Sequence, residues 1–270
     1  MKLQSSPQKP LISCLLSSQI SKNRIVNHPF RKKWGQNFLR DPNIIRNIIN
    51  CLKPDKNDEI LEIGPGDGSL TDELHGQVHH IHGVEIDPLL IKKLQAKQYG
   101  NVILYRDDIL KWDLGILPED IKIIGNLPYY ISSPILFRLL MMSNWQKMVL
   151  MFQKEVAERI ISEPGKKSYG RLSVMCQAYC NVNIEFIVSR DVFQPKPNVD
   201  SAVLTFTPID DDLPEISSFS DFIKQAFSQR RKKLKNNLPF AYELGVLEKW
   251  ADMRPEQLSP TNYIQLFQRI

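Results

Sequence analysis

The stretch Ile123-Ile124-Gly125-Asn126-Leu127-Pro128-Tyr129-Tyr130 decides how the chain is read. Its apolar start has the composition of a buried strand, and it stops at a polar turn locked by proline. Pro128 fixes its own φ and drives Leu127 toward an extended conformation. Asn126 is therefore expected at a rigid strand tip, with the Leu127 carbonyl held still beside it. That pair suits one kind of chemistry. The exocyclic nitrogen of adenine is a poor nucleophile because its lone pair is delocalised into the ring. Two fixed oxygens, the Asn126 side chain and the Leu127 backbone, would accept from both amine hydrogens and draw that pair back to nitrogen, while Tyr129 offers a flat surface for stacking. An ordinary strand and turn would use the same residue types, so the neighbours have to decide.

Upstream, residues 58–63 (DEILEI) read as a second apolar strand running into Gly64-Pro65-Gly66-Asp67-Gly68, with Ser69 expected to cap the next helix. A glycine-rich turn at a helix start lets backbone approach a ligand closely. The following strand ends at Val84-Glu85-Ile86-Asp87, where a carboxylate can hold the two hydroxyls of a ribose. The glycines do not give the GxGxxG spacing, because position 69 is serine. That disfavours a dinucleotide and favours a nucleoside cofactor without a pyrophosphate, such as S-adenosylmethionine. A strand over 102–105 ends at Arg106-Asp107-Asp108. Asp108 is preferred as reader of the cofactor adenine, with Asp107 left open. Four strand tips thus carry polar residues at the edge where open α/β sheets bind ligands.

Around this block, residues 42–52 show helical apolar spacing, with Asp41 as N-cap and Pro42 at the first helical position. Downstream, the pattern predicts a helix over 134–142, a strand over 147–152, a helix over 154–161, an exposed loop at 163–167 and a further helix from 169. Strands at 183–188 and 202–207 are too close for a crossover helix and are expected to be antiparallel neighbours. Phe193 sits between them on a proline-stiffened loop. The run DDDLP at 210–214 reads as a linker, after which the pattern is helical to the end, with QRRKKLK expected to project from the first long helix. The expected division is a basic tail over 1–30, an α/β unit over 31–209 and a helical unit over 210–270.

The 270 residues, 42% hydrophobic, are enough for one full α/β domain and a smaller one. The net charge of +5 is modest, but residues 1–40 hold eight Lys or Arg and no acid, and residues 229–235 read QRRKKLK. Such runs are either solvated faces or phosphate contacts. Cys14, Cys51, Cys176 and Cys180 are too few for a disulfide framework. The last two, a helical turn apart, read as small buried hydrophobes without the companion ligands of a zinc site. No metal is expected. No apolar run approaches the ~18 residues of a membrane span. The acid-free, Ser-rich first thirty residues share features with organellar transit segments, but few arginines and no amphipathic helix favour a flexible tail and a cytoplasmic protein.

Taken in order, GQNFL, EIGPGDGSLT, VEIDP, GNLPYY, YGRLSV, FQPKPNVDSAV and AFSQRRKKLKNNL resemble the small-subunit ribosomal RNA adenine dimethyltransferase family of bacterial type, over residues 30–268. The resemblance implies a Rossmann-like class I methyltransferase sheet with a small all-helical C-terminal domain. It implies S-adenosylmethionine as cofactor, 16S rRNA within the 30S subunit or its precursor as partner, and a monomer. The implied reaction places two methyl groups on each of two adjacent adenosines in the 3'-terminal hairpin loop. By position, Asn37 and Leu39 would close over the cofactor, Gly64 would face its methionine part, Glu85 its ribose and Asp108 its adenine. Asn126 would stand between methyl donor and target, and Tyr129 and Phe193 would hold the target adenine between two rings. Lys32, Lys33, Arg230, Arg231, Lys232 and Lys233 would hold phosphates. Leu39 and Phe193 also fit a plain core reading. The basic N-terminal extension departs from the family pattern, as does Tyr130, where Asn is common; the latter is expected to be harmless. Two rivals remain. A large-subunit rRNA adenine methyltransferase of antibiotic-resistance type shares GQNFL and the NxPY turn, but Leu127, FQPKPNVDS and QRRKKLKNNL oppose it. A non-catalytic ribosome-assembly or transcription factor on the same fold is opposed by the intact Gly64, Glu85, Asn126 and Tyr129 set.

Overall fold

A computed structural model describes residues 36–209 and 213–270. The basic tail, Lys32, Lys33 and the acidic centre of the linker lie outside the described residues. Elements follow one another as β1 (Phe38–Leu39), α1 (Pro42–Leu52), β2 (Glu59–Ile63), α2 (Ser69–Leu74), β3 (His80–Glu85), α3 (Pro88–Gln95), β4 (Val102–Arg106) and β5 (Ile121–Asn126). Then come α4 (Ser132–Leu140), β6 (Trp145–Gln153), α5 (Lys154–Ile160), α6 (Arg171–Tyr179), β7 (Cys180–Val188), β8 (Phe193–Gln194) and β9 (Ser201–Pro208). Four helices close the chain: α7 (Ile216–Ala226), α8 (Leu234–Asn237), α9 (Pro239–Glu243) and α10 (Pro260–Phe267).

Seven strands form one sheet in the order β4-β3-β2-β5-β6-β9-β7, and β1 pairs separately with β8. The first five are parallel, while β9 runs antiparallel to both β6 and β7. This is the Rossmann-like methyltransferase sheet expected, including the antiparallel pair at its far edge. Alternation along the strands splits the core. Ile60, Ile124, Val149 and Val203 face α1 and α2, while Leu61, Ile123, Leu150 and Leu204 face the other layer, where α4, α5 and α6 contribute. At ~1.5–3 kcal/mol per buried aliphatic side chain, these two layers hold the strand register, because a one-residue slip would turn each set to the wrong face.

The helices after residue 213 do not form a separate core. Phe219, Ile223, Leu258 and Tyr263 belong to the same buried cluster as α4, α6 and the sheet, and the Tyr169 hydroxyl donates to the Leu258 carbonyl at 2.8 Å. No helix of the described residues is long and apolar enough to cross a membrane. Two local expectations are corrected. Cys180 opens β7 instead of lying on the helix with Cys176, although both are buried. The basic run 229–233 does not project from α7, which ends at Ala226, but forms the turn before α8. The apolar periodicity of α7 stops at Phe227 and resumes at Leu234, and consecutive like charges at helical spacing repel.

Candidate active site

The C-terminal tips of β2, β3, β4 and β5 open onto one cavity of about 1210 Å³, counting its mouth. Its floor is the turn after β2. Gly64 and Gly68 stand at φ +63° and +91°, backbone that an L side chain adopts only with strain. A Cβ at Gly64 would meet nothing within 4 Å, so that side of the turn faces open space. Gly68, not Ser69, is the N-cap of α2, because left-handed backbone is what turns the strand into the helix here. Ser69 is the first helical residue, and its hydroxyl donates to the Leu39 carbonyl at 3.1 Å.

At the tip of β3, Glu85 is 6% exposed. Its two oxygens accept from the backbone N–H of Gly66 at 3.1 Å and of Asp87 at 2.8 Å. Burial nevertheless holds its carboxyl above the ordinary range, with the Asp87 and Gly66 donors working against that. Glu62, one residue before the end of β2, lines the same cavity. One of its oxygens accepts from the Thr71 hydroxyl at 2.7 Å, and the other is buried without a partner. Burial, with the nearby Asp72 and Glu85 charges, pushes its carboxyl up to about 7. At the tip of β4, Asp107 accepts from the Asp108 N–H at 2.7 Å and Asp108 from the Leu110 N–H at 3.0 Å. Both line the cavity, so the choice between them stays open.

β5 delivers Asn126, whose Nδ2 donates to the Asn37 carbonyl at 2.9 Å. Leu127 is buried behind it, and Pro128 at φ −59° leads into a short turn over Tyr129–Ile131. The Tyr129 hydroxyl shares a hydrogen bond with Ser201 Oγ at 2.7 Å, which pins the ring against the start of β9. The segment before α1 forms the opposite wall. β1 pairs with β8, Leu39 facing Phe193, and the Arg40 N–H donates to the Val192 carbonyl at 2.9 Å.

Residues 27–270 match the family model described as ribosomal RNA adenine dimethylase. The chain belongs to that family. It is 40% identical over 259 residues to the ribosomal RNA small subunit methyltransferase A of Xylella fastidiosa, a match covering 90% of this chain and 97% of that one. Among solved structures, the dimethyladenosine transferase from Plasmodium falciparum superposes with a TM-score of 0.77 at 27% identity, over 86% of this chain and 96% of that one. The 23S rRNA methyltransferase ErmE superposes with a TM-score of 0.63, also at 27% identity, over 86% and 99%.

In this dimethylase-family chain the cavity gathers Asn37, Leu39, Gly64, Glu85, Asp108, Asn126, Leu127 and Tyr129, as expected from the sequence. Phe193 is a correction. It is 4% exposed, packed with Leu39, Val188 and Val203, and does not line the cavity, because its strand pairing with Leu39 turns the ring into the core. In this arrangement one ring, not two, faces the cleft from the expected pair. Tyr130, set aside as neutral, lines the cavity together with Tyr129 and Phe38 and is 58% exposed. Burial and the charge of Asp108 raise its hydroxyl pKa. Glu62 was also missed, and an acid flanked by Leu61 and Ile63 within an apolar strand was the available signal.

The basic run is only partly free for phosphates. The Arg230 guanidinium donates to the carbonyls of Lys167 at 2.6 Å and Tyr169 at 2.5 Å, a structural brace rather than an open cation. Lys233 pairs with Asp252 at 2.9 Å. Arg231 and Lys232 are exposed and form no ion pair among the described residues.

Proposed function

We propose that this protein uses S-adenosylmethionine to dimethylate the exocyclic amines of two adjacent adenosines in the 3'-terminal hairpin loop of 16S rRNA. The observation that carries the reading is the Asn126 carboxamide, oriented by the Asn37 carbonyl at the mouth of a cavity that also holds Glu85 and Gly64. The 40% identity across nearly the full length of a small-subunit methyltransferase supports the choice of substrate.

The residues present fit the cofactor. Glu85 offers two buried oxygens to vicinal hydroxyls, Asp107 and Asp108 offer acceptors to an amine, and Gly64 leaves room for close backbone approach. Glu62 supplies an unpartnered buried oxygen in a cavity meant for a cation. When bound, the cofactor supplies an activated methyl group on a positively charged sulfur. The protein does the rest by position. Asn126 Oδ1 and the Leu127 carbonyl accept from the two amine hydrogens of the target, which localises the nitrogen lone pair and aims it. Neither group is a strong base; as the amine becomes cationic, both stabilise it and its proton leaves to water. Tyr129 presents its ring to the base, its own hydroxyl held by Ser201. A base reaches this pocket only when unstacked, which favours a hairpin loop over a duplex, and Arg231 and Lys232 hold phosphates of the same RNA.

The test uses 30S particles lacking the modification, incubated with the protein and S-adenosylmethionine and digested for mass spectrometry. Dimethyladenosine in 16S rRNA is the expected product. In a parallel incubation with 50S particles, modification confined to 23S rRNA would transfer the protein to the resistance class, and no product with either particle would leave a non-catalytic assembly factor.

A further inference from the structure

Three of the five histidines in the chain converge on one carboxylate at the sheet edge opposite the cavity. Glu59 opens β2, and its strand partner in register is His80 of β3. One Glu59 oxygen lies 2.9 Å from His79 Nδ1 and 3.0 Å from His80 Nδ1, and the other lies 3.0 Å from His82 Nε2. The far nitrogen of the His82 ring meets the Tyr105 hydroxyl at 3.3 Å. The motif VHHIH plays no part in the methyl-transfer site.

We propose that Glu59, His79 and His80, with His82 as fourth ligand, form a binding site for a borderline divalent transition-metal ion, Zn²⁺ by preference. The ligand atoms of the first three already lie within 4.8 Å of one another. Four ligands at ~2.0–2.2 Å on a tetrahedral ion stand only a little over ~3 Å apart, so the first three need small adjustment, while His82 Nε2, which meets the other Glu59 oxygen and lies outside that close group, joins when the carboxylate turns. Imidazole with carboxylate is a donor set for Zn²⁺, Co²⁺, Ni²⁺ or Cu²⁺ rather than for Mg²⁺ or Ca²⁺. The Tyr105 hydroxyl at the outer nitrogen of His82 is the kind of partner that fixes ring orientation at metal centres. Access is open on one side, since His79 is 59% exposed and His80 38%, while His82 at 12% closes the other. At ~3.3 Å per residue, the length of β2 separates this cluster from the cofactor cavity. The ion would staple β2 to β3 and to the turn leading into β3, and would not touch the methyl transfer.

The full chain, without an affinity tag and stripped with chelator, is titrated with Co²⁺ and then Zn²⁺. One equivalent of Co²⁺ should develop the visible absorption of a four-coordinate site, be displaced by Zn²⁺, and raise the melting temperature in a chelator-reversible way. His79→Ala with His80→Ala should weaken binding by more than the ~10–100-fold that loss of an outer partner costs, and Glu59→Gln should lose at least ~10-fold. His75→Ala, outside the cluster, should bind as wild type. S-adenosylmethionine binding by the double variant serves as the folding control. Unchanged Co²⁺ spectra in that variant, or no spectrum at millimolar Co²⁺ in the wild type, would overturn the proposal. Methylation of 30S particles is read separately and is expected to survive both the double substitution and the chelator.

Discussion

The Asn126 carboxamide donates through Nδ2 to the backbone carbonyl of Asn37, a residue 89 positions earlier in the chain. The contact fixes which end of the amide faces the cleft. A reversed carboxamide would set two oxygens against each other, so the donor stays on Asn37 and Oδ1 remains to accept. The wall before α1 thus orients the tip of β5, and the cleft is prepared before a base arrives.

Replacing Asn126 with Ala should lower kcat by ~10²–10³-fold, the scale seen when one fixed polar group at a reacting centre is lost. Cofactor affinity should change only a few-fold, because Glu85 and the glycine turn remain. Single-turnover methylation alongside calorimetric cofactor titration separates the two. Near-normal turnover by this variant would remove Asn126 from the chemistry.

Glu85→Gln tests the ribose contact. A glutamine has one acceptor oxygen where Gly66 and Asp87 present two N–H donors, so one donor would face an NH₂ and one ligand hydroxyl would lose its acceptor. A hydrogen bond to a charged group is worth ~1.5–3 kcal/mol, which predicts an affinity loss of roughly ten-fold or more. Activity at saturating cofactor should largely return.

Glu62 predicts a pH dependence of stability. Its folded carboxyl titrates near about 7, against an ordinary value of 4.5, so the folded chain binds that proton more tightly than the unfolded chain does. The stabilising contribution is complete below about 4.5 and is lost as pH rises through about 7. A difference of that size corresponds to about 3 kcal/mol. Glu62→Gln should flatten the fall in urea midpoint between about pH 5 and pH 8. The positive sulfur compound should also gain affinity over its neutral-sulfur product across the same window, and lose that gain in the variant.

Much of this was readable in advance because it follows from local rules. Asp41 before Pro42 caps its helix as the pair announces, and polar strand tips on apolar runs placed Glu85, Asp108 and Asn126 together. What escaped depends on partners remote in sequence. The Phe193 ring is buried by pairing with Leu39, and Glu59 meets His80 only through the register of β2 and β3. The role of Arg230 was hidden for the same reason, since its acceptors, Lys167 and Tyr169, lie some sixty residues upstream.

Tyr129 should separate ring from hydroxyl. Tyr129→Phe keeps the stacking surface and loses only the Ser201 bond, so turnover should stay within a few-fold of wild type. Tyr129→Ala removes a stack worth ~1–3 kcal/mol and should raise the KM for 30S particles by roughly ten-fold. Equal effects from the two substitutions would contradict a stacking role.

For the basic turn, Arg231→Ala with Lys232→Ala should reduce the slope of log affinity against log salt by about 1.4–1.8, at ~0.7–0.9 per phosphate contact, without lowering the melting temperature. Arg230→Ala should instead destabilise the chain by about 1 kcal/mol, the cost of losing its bond to the half-buried Tyr169 carbonyl, since the one to Lys167 is exposed. Filter binding over a salt series and thermal melts distinguish the two.

The continuous core that joins α6, α7 and α10 to the sheet has a geometric consequence. Leu234, just after the basic turn, and Leu127, just after the tip of β5, belong to one buried cluster, so the span between the two is set by packed side chains. Under the proposed reading the protein is a caliper: an adenosine would be chosen by how far along its strand it lies from phosphates held at Arg231 and Lys232, and the loop, being the softer body, would bend to fit the gauge.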